Sequence, residues 1–208
     1  MQEDLTYTHQ YEPSTGEQGN TTLLLLHGTG GDENALSDLG RMILPDAGQL
    51  RPRGNVSENG MSRFFRRFAE GVLDVEDLKS RTGDLATFIQ QASVRYGFDA
   101  QQVIGAGFSN GANIASSMLL LYPQVLHIAI LLHPMLAFVP DPLPDLRGKP
   151  VFIGAGRSDP LVPSEQTEQL ADLLKRAGAQ VNVFWHNGGH TVSVEEVKAI
   201  KNWLSGLV

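Results

Sequence analysis

The 208-residue sequence predicts a three-layer α/β fold built around a mainly parallel sheet. Short continuous apolar runs, of the length expected for strands buried on both faces, alternate with longer segments whose apolar residues recur at helical spacing. Glycine- and proline-containing turns separate these segments. No internal repeat, linker or second domain is visible, so we expect residues 1–208 to form one domain.

The individual elements follow from apolar runs and from local start and stop signals. The predicted strands are 6–11, 21–26, 49–54, 102–106, 126–132, 151–155 and 181–185. The predicted helices are 33–43, 75–96, 112–121, 164–177 and 192–204. Pro45 and Gly97 end the first two helices, while Ser164 caps the fourth helix and Gly178 ends it.

Composition excludes several classes of protein. Hydrophobic residues make up 41% and charged residues 19% of the chain, which suits a soluble globular protein. The net charge of −7 disfavours nucleic acid as a partner, and no apolar run is long enough to span a membrane. The chain has no cysteine, which rules out disulfides, a cysteine nucleophile and thiolate metal ligands. No signal peptide is visible, so we expect a cytoplasmic protein. We also expect a monomer or homodimer.

The segment Gly107–Gly111, which reads Gly-Phe-Ser-Asn-Gly, lies between a predicted strand and a predicted helix. A Gly-x-Ser-x-Gly sequence in this context is typical of a sharp turn that exposes a nucleophilic serine. The glycines at both ends lack the Cβ atoms that would clash in so tight a turn. The helix that follows directs free N–H groups and its positive dipole end toward the serine. We therefore predict that Ser109 is a nucleophile rather than part of an ordinary turn.

A glycine-rich loop, His27-Gly28-Thr29-Gly30-Gly31-Asp32, follows the second predicted strand. Such a loop could hold a phosphate, but the Gly-Lys-Ser/Thr ending of a P-loop is missing. The better interpretation is an oxyanion loop, in which the N–H of Thr29 acts together with the N–H of Asn110, the residue after the serine. We predict that His27 holds this loop in place and does not act as a base.

Two further polar residues follow the last two predicted strands, and the carboxyl ends of parallel strands form the site edge of such sheets. Asp159 comes after strand 151–155, and His190 comes after strand 181–185. With Ser109 they give the order serine, acid, histidine. A serine hydroxyl needs a base to take its proton, which is the role predicted for His190. Asp159 would hold the imidazole in the required tautomer.

Other residues compete for these roles. Asp159 precedes a proline and could be an ordinary turn residue, but it is the sole acid in its loop. Asp141 and Asp145 come before their strand, at the wrong end of the sheet. His186 competes with His190, which we favour because it follows a Gly-Gly pair and precedes a helix. A zinc pair of these two histidines has no evident third ligand, so no metal site is predicted.

Residues 55–71 form a candidate small cap in which aromatic residues and arginines are interspersed. One interpretation is that Met61, Phe64 and Phe65 form the wall of an apolar substrate pocket. The other is a short amphipathic helix packed on the body of the protein, with the arginines in solvent. The residues leave these two open. The arginines could also attract an anionic substrate, although surface arginines are usually only solvated.

These motifs resemble the α/β-hydrolase superfamily, and within it the small phospholipase/carboxylesterase-like, dienelactone-hydrolase-related serine esterases. The resemblance covers nearly the whole chain and depends on six stretches: 27–31, 51–54, 59–67, 107–111, 159–160 and 189–190. It implies the α/β-hydrolase fold with a minimal cap and esterase activity without a metal or organic cofactor. It also implies Ser109 as nucleophile, Asp159 as acid, His190 as base, and the N–H groups of Thr29 and Asn110 as oxyanion hole. True dienelactone hydrolases use a cysteine nucleophile, which this chain lacks.

The predicted function is a serine carboxylesterase that acts on small or medium acyl and aryl esters. A thioesterase or phospholipase-type hydrolase would use the same three residues with a differently shaped pocket. A non-catalytic ligand-binding protein with this fold is the alternative from another class, because fold does not fix function. A binder would have no need to retain serine, acid and base together.

Overall fold

The computed structural model describes residues 5–16 and 21–208. The strands are β1 (His9–Glu12), β2 (Thr22–Leu26), β3 (Gly48–Pro52), β4 (Val56–Glu58), β5 (Met61–Arg63), β6 (Arg67–Ala69), β7 (Val72–Leu73), β8 (Val103–Phe108), β9 (Ile128–Leu132), β10 (Pro150–Gly156) and β11 (Gln180–His186). The helices are α1 (Ser37–Ile43), α2 (Val75–Tyr96), α3 (Asn110–Leu121), α4 (Ser164–Arg176) and α5 (Val194–Leu204), with a short 3-10 helix at Ala100–Gln102.

Seven of these strands form the central sheet, in the order β1-β3-β2-β8-β9-β10-β11. The edge strand β1 is antiparallel to β3, and every other neighbouring pair in this sheet is parallel. The predicted α/β class with a mainly parallel central sheet is confirmed. Because the parallel strands all end at one edge, the loops after β2, β8, β9, β10 and β11 meet there.

Helices cover both faces of the sheet, and the side chains of β2 show how the two layers are divided. Leu24 and Leu26 belong to the core cluster that α2, α3 and α4 share. Leu23 and Leu25 point the other way, into the cluster shared with α1 and α5. All four leucines are buried, which explains why β2 reads as a continuous apolar run.

The predicted elements of the main sheet and all five predicted helices are present, with differences at their ends. Helix α1 begins at Ser37 rather than Glu33, because the segment before it forms a turn in which the N–H of Asn34 binds the Asp32 carboxylate at 2.8 Å. Ser164 does not cap α4: it is the first helical residue, Pro163 takes the cap position, and no side-chain cap bond forms. The end of α2 at Gly97 is confirmed, with φ at +76°.

The segment 55–71 belongs to a pair of hairpins that ends at Leu73, so its interpretation as an amphipathic helix is wrong. Strands β4 and β5 pair antiparallel, and β6 pairs with β7. Asn59 and Gly60 connect the first pair, with φ values of +51° and +81°. A two-residue turn with both φ angles positive matches the twist of a hairpin, and Asn-Gly is its preferred sequence. The Asn-Gly turn therefore determines the local structure, although the apolar residues recur at helical spacing.

Within the described residues, no helix combines the length and apolar character that crossing a membrane requires.

Candidate active site

Ser109 lies at the turn between β8 and α3 and has a strained backbone. Its φ of +52° and ψ of −113° lie outside the conformations that residues with a Cβ atom ordinarily adopt. The N–H of Ser109 donates to the carbonyl of Leu132 at the end of β9, at 2.9 Å. The turn thus lifts the serine side chain above the carboxyl edge of the sheet, as the strand-turn-helix motif predicts.

Small residues on either side make this turn sterically accessible. A Cβ atom on Gly111 would overlap the carbonyl oxygen of Leu26, and one on Gly107 would overlap the carbonyl oxygen of Gly111. Both neighbours are backbone atoms of buried elements and cannot move aside. The glycines of the motif therefore let the start of α3 approach β2 closely.

The three residues predicted to act together lie within hydrogen-bond distance of one another. The hydroxyl of Ser109 is 2.9 Å from Nε2 of His190, and Nδ1 of His190 is 2.7 Å from Oδ2 of Asp159. Asp159 follows β10 and His190 follows β11, which pair in parallel up to Gly156 and His186. The structure therefore brings the predicted serine, histidine and acid into one continuous hydrogen-bonded chain.

Asp159 is held in its ionised form. Its Oδ1 atom accepts the backbone N–H groups of Leu161 and Val162 at 2.9 and 3.0 Å. Burial acts to raise the pKa of Asp159, but the hydrogen bonds from two imidazole rings and these two N–H groups outweigh it. The pKa of this carboxyl consequently lies below its ordinary value. An ionised acid can orient His190 with Nδ1 protonated and Nε2 free to accept the serine proton.

Thr29 and Asn110, the predicted oxyanion residues, both line the cavity that contains Ser109. Asn110 is the first residue of α3, so its N–H has no partner within the helix. Among the hydrogen bonds of the described residues, none uses the N–H of Thr29. Both N–H groups thus remain free to bind an anionic oxygen.

The hairpin of β4 and β5 braces the two oxyanion residues. The N–H of Gly30 donates to the carbonyl of Ser62 at 2.9 Å, and Nη1 of Arg63 donates to the hydroxyl of Thr29 at 2.5 Å. The N–H of Phe64 donates to Oδ1 of Asn110 at 2.7 Å. One hairpin therefore fixes the oxyanion loop and the start of α3 relative to each other.

His27 supports the same loop from below, in agreement with its predicted structural role. Its Nε2 accepts the N–H of Gly54 at 2.9 Å, and its Nδ1 lies 2.6 Å from the carbonyl of Gly28. The ring is buried, and burial lowers its pKa below the ordinary value. A neutral ring with one protonated nitrogen satisfies both contacts.

A cavity of about 330 Å³ opens above Ser109. Met61 is part of its wall, as predicted, and Leu161 and Val162 also line it. Phe64 and Phe65 do not line it, so their predicted placement in the pocket is wrong. Both rings are fully buried in the core on the α2 side of the sheet. Large aromatic rings gain more by leaving water completely than by lining an open cavity.

Two residues that the sequence analysis did not assign, His133 and Glu196, lie directly behind the predicted acid. Nδ1 of His133 is 2.8 Å from Oδ2 of Asp159, and its Nε2 is 3.7 Å from Oε2 of Glu196. His133 directly follows a predicted strand, so the rule that locates Asp159 and His190 also applies to it. Glu196 lies three residues after Ser193, which is the spacing of a capping box, and no feature of the sequence indicates that its side chain is buried.

The competing histidine, His186, does not contact Ser109. It ends β11, and its Nε2 lies 3.4 Å from Nε2 of His133. Among the described residues, two groups of side chains are spaced closely enough to share a metal ion: His133, His186 and Glu196, and His133, Asp159 and His190. Neither group contains both His186 and His190.

The amino-acid sequence matches the phospholipase/carboxylesterase family over residues 12–208. The chain belongs to this family. The α/β-hydrolase fold follows, as does the assignment as a hydrolase enzyme.

Individual relatives of this family agree with the assignment. MhqD of Bacillus subtilis (strain 168) is 49% identical over 195 residues, which cover 94% of this chain and 96% of MhqD. The crystal structure of a Bacillus cereus carboxylesterase is 43% identical, has a TM-score of 0.95, and matches 98% of this chain and 95% of its own. A carboxylesterase from Mesorhizobium loti is 32% identical with a TM-score of 0.91, over 98% and 96% of the two chains.

Proposed function

We propose that the protein is a serine carboxylesterase that hydrolyses small or medium acyl and aryl esters through an acyl-enzyme. The observation that carries this proposal is the hydrogen-bonded chain from the hydroxyl of Ser109 through His190 to Asp159. Each link lies at a normal hydrogen-bond distance, and the serine sits in a strained turn that exposes it to the cavity.

In the first half of the reaction, Nε2 of His190 takes the proton of Ser109 as its oxygen attacks the ester carbonyl. The N–H groups of Thr29 and Asn110 bind the oxyanion of the tetrahedral intermediate. His190 then gives its proton to the departing alcohol, and the acyl group stays on Ser109. Asp159 remains ionised throughout and stabilises the imidazolium.

In the second half, a water molecule takes the place of the alcohol. His190 removes a proton from this water, and the resulting hydroxide attacks the acyl-serine carbonyl. The same two N–H groups stabilise the second oxyanion. Collapse of this intermediate releases the carboxylic acid and returns the proton to Ser109. All of these steps use side chains and backbone groups of the chain itself, so we propose that no cofactor takes part.

The cavity supports a compact substrate. Its volume of about 330 Å³ lies at the lower end of the range of small-molecule pockets, which begins near ~300 Å³. Two arginines, Arg63 and Arg67, line it, but both form ion pairs with the carboxylate of Glu58 at 3.1 and 2.9 Å. This shared carboxylate reduces the positive charge available to a substrate. We therefore propose neutral esters with short acyl groups rather than long lipids.

The test is the initial rate of p-nitrophenyl acetate hydrolysis by the wild type, Ser109→Ala and a control variant, Ser205→Ala, at an exposed position after α5. We expect the wild type and the control to turn over equally. The Ser109 variant should lose about three to six orders of magnitude in kcat, because the remaining groups of the site supply only a small part of the catalysis. Equal rates for the wild type and Ser109→Ala would contradict the proposal.

A chain-length series tests the substrate class separately. We expect kcat/KM to be higher for p-nitrophenyl acetate and butyrate than for the dodecanoate ester. A competing acetyl thioester, offered at the same concentration, should be hydrolysed no faster than the acetyl ester. Preference for the long acyl chain or for the thioester would overturn the proposed substrate, while the role of Ser109 would still stand on the variant data.

A further inference from the structure

Asp159 accepts hydrogen bonds from two histidine rings through the same oxygen atom. Oδ2 of Asp159 is 2.7 Å from Nδ1 of His190 and 2.8 Å from Nδ1 of His133. Only the ring of His190 takes part in the proposed reaction. The ring of His133 contacts the same carboxylate oxygen without taking part in a proton transfer.

His133 is held in this position at a cost in backbone conformation. Its φ is +55°, a region that few residues other than glycine adopt. The N–H of His133 donates to the carbonyl of Gly154 at 2.8 Å, which fixes the residue between β9 and β10. The side chain is buried, with 1% of its surface exposed. Strain of this kind persists where the surrounding structure determines it and is common at functional sites.

A buried carboxylate lies on the far side of the His133 ring. Oε2 of Glu196 is 3.7 Å from Nε2 of His133 and accepts the N–H of Ser193 at 3.2 Å. Glu196 is completely buried, and its Oε1 has no hydrogen-bond partner among the described residues. Gly154 makes room for it, since a Cβ atom there would overlap Oε1. A buried carboxylate is stabilised where a cation or hydrogen-bond donors face it, and the His133 ring is one of the groups in that position.

The third neighbour, His186, cannot supply the lone pair that a metal ion would need. Its Nδ1 accepts the N–H of Gly188 at 3.0 Å, so the proton of the neutral ring is on Nε2. This Nε2 is 3.4 Å from Nε2 of His133, and both nitrogens lie near Oε2 of Glu196, at 3.8 Å for His186 and 3.7 Å for His133, so this carboxylate is an acceptor available to both rings. The nitrogen and oxygen atoms of His133, His186 and Glu196 are close enough together to share a metal ion, but the proton on Nε2 of His186 favours a hydrogen-bonded cluster instead.

We propose that His133 is a positioning residue of the active site, whose ring lies between the carboxylates of Asp159 and Glu196, fixes the acid and acts through its charge on the neighbouring His190. This inference depends on the proposed function only through the role of His190. One imidazolium then lies between two carboxylates and offsets one of their two negative charges.

The groups around the ring favour this charged state. Asp159 contacts the His133 ring from the loop after β10, and Glu196 approaches it from α5. His190, in the loop after β11, and His186, at the end of β11, pack against the same ring. Burial lowers the pKa of His133, but the two carboxylates outweigh it, and the pKa lies above its ordinary value.

The charge on His133 acts on His190 through space. The centroids of the two rings are 5.1 Å apart. A positive charge at this distance disfavours protonation of His190, which keeps the base form of His190 present at lower pH. Replacing His133 by a neutral residue should therefore raise the pKa of His190.

The first test is a titration of the histidine rings by NMR in the wild type and in His133→Asn. Asparagine tolerates positive φ and can place an amide N–H near the position of Nδ1, so it keeps the hydrogen bond to Asp159 and removes the charge. The control is His127→Asn, an exposed histidine at the opposite end of β9.

We expect the pKa of His190 to rise by about 0.5–1 unit in His133→Asn and to stay unchanged in the control. An unchanged titration of His190 in His133→Asn would overturn the proposal. Glu196→Gln gives a second measurement, should the first variant not fold: the pKa of His133 itself should then fall. If the pKa of His133 does not fall, the carboxylate of Glu196 does not help to keep the proton on His133, and the proposal is wrong.

The activity measurement separates this inference from the proposed function. In His133→Asn the acidic limb of kcat/KM should move to higher pH by the same amount as the His190 titration, whereas a purely structural role would lower the plateau and leave the limb in place. Loss of the proposed function would appear as equal rates for the wild type and Ser109→Ala. The NMR titration does not require turnover, so it decides the role of His133 in either case.

Discussion

The strained backbone of Ser109 predicts that two inactive variants of this residue differ in stability. Ser109→Ala and Ser109→Gly both remove the hydroxyl and its bond to His190, so that loss cancels when the two are compared. They differ in that alanine keeps a Cβ atom at φ +52° and ψ −113°, whereas glycine adopts this conformation without strain. The glycine variant should therefore be the more stable of the two.

The expected size of the difference follows from two opposing terms. A residue with a Cβ atom in a sparsely populated backbone region costs about 1–3 kcal/mol. Glycine gives back about 0.4–1 kcal/mol because its unfolded chain has more conformational freedom. The free energy of unfolding of the glycine variant should thus be larger by up to about 2.6 kcal/mol, with about 1.3 kcal/mol at the centre of the range. For a chain of this length the central value corresponds to a Tm difference of about 3–5 °C.

The assay is thermal unfolding followed by circular dichroism, with Ser205→Ala and Ser205→Gly as the matched control pair. Ser205 is exposed and has helical angles, φ −61° and ψ −14°, so there alanine should be the more stable variant. The order of stability should therefore reverse between positions 109 and 205. If Ser109→Ala were as stable as Ser109→Gly, the turn would not be strained and its steric argument would be wrong.

Three further predictions concern the hairpin brace and its surroundings. Phe65→Ala should lower the Tm by about 6–20 °C, because the loss of a buried aromatic ring costs about 3–5 kcal/mol. The KM of the folded Phe65 variant should stay unchanged. Met61→Ala should alter KM and leave the Tm near that of the wild type, because Met61 lines the cavity. Thr29→Val removes the acceptor of Arg63, so kcat should fall about tenfold with little change in Tm, and an unchanged kcat would show that this bond does not position the loop. Burial lowers the pKa of His27, so its stabilising contribution is present above its unfolded pKa near 6.5 and is lost as pH falls toward the folded value; urea unfolding between pH 7 and 5 should show a steeper loss of stability for the wild type than for His27→Gln.

The main architecture could be predicted because its signals are local. The leucine run of β2, the 22-residue apolar periodicity of α2 and the Gly-x-Ser-x-Gly turn each specify an element independently of the rest of the chain. The hairpins at 56–73 had a local signal too, in Asn59-Gly60, but the aromatic residues around it gave a competing helical pattern. Short strands of three residues have too few positions for alternation to be visible.

The candidate site was predictable as far as it depends on strand ends. Ser109, Asp159 and His190 each follow a strand of the parallel sheet, and the structure brings them into contact; their chemical roles remain predictions. His133 also follows a strand, yet its contact with Asp159 depends on the register of β9 against β10, which the sequence does not contain. Glu196 lies on α5, which covers the face of the sheet opposite to α2, α3 and α4, and no local feature of the sequence distinguishes it from an exposed glutamate.

The placement of Phe64 and Phe65 shows a different limit. Consecutive aromatic residues directly after a short strand have no period, so the pattern cannot say which face they occupy. The backbone contact of Phe64 with the side chain of Asn110 decides it, since this hydrogen bond holds the chain against α3 with both rings in the core. Such a side-chain-to-backbone bond joins residues far apart in sequence.

The central claim is that Ser109 carries the acyl group during turnover. The most direct measurement is peptide mapping by mass spectrometry of enzyme mixed with p-nitrophenyl acetate and quenched in acid during the first turnovers. We predict an acetyl group on the peptide that contains Ser109 and none on this peptide in Ser109→Ala. Continued release of p-nitrophenol with the acetyl group on another residue, or with no acetylated residue at all, would contradict the account.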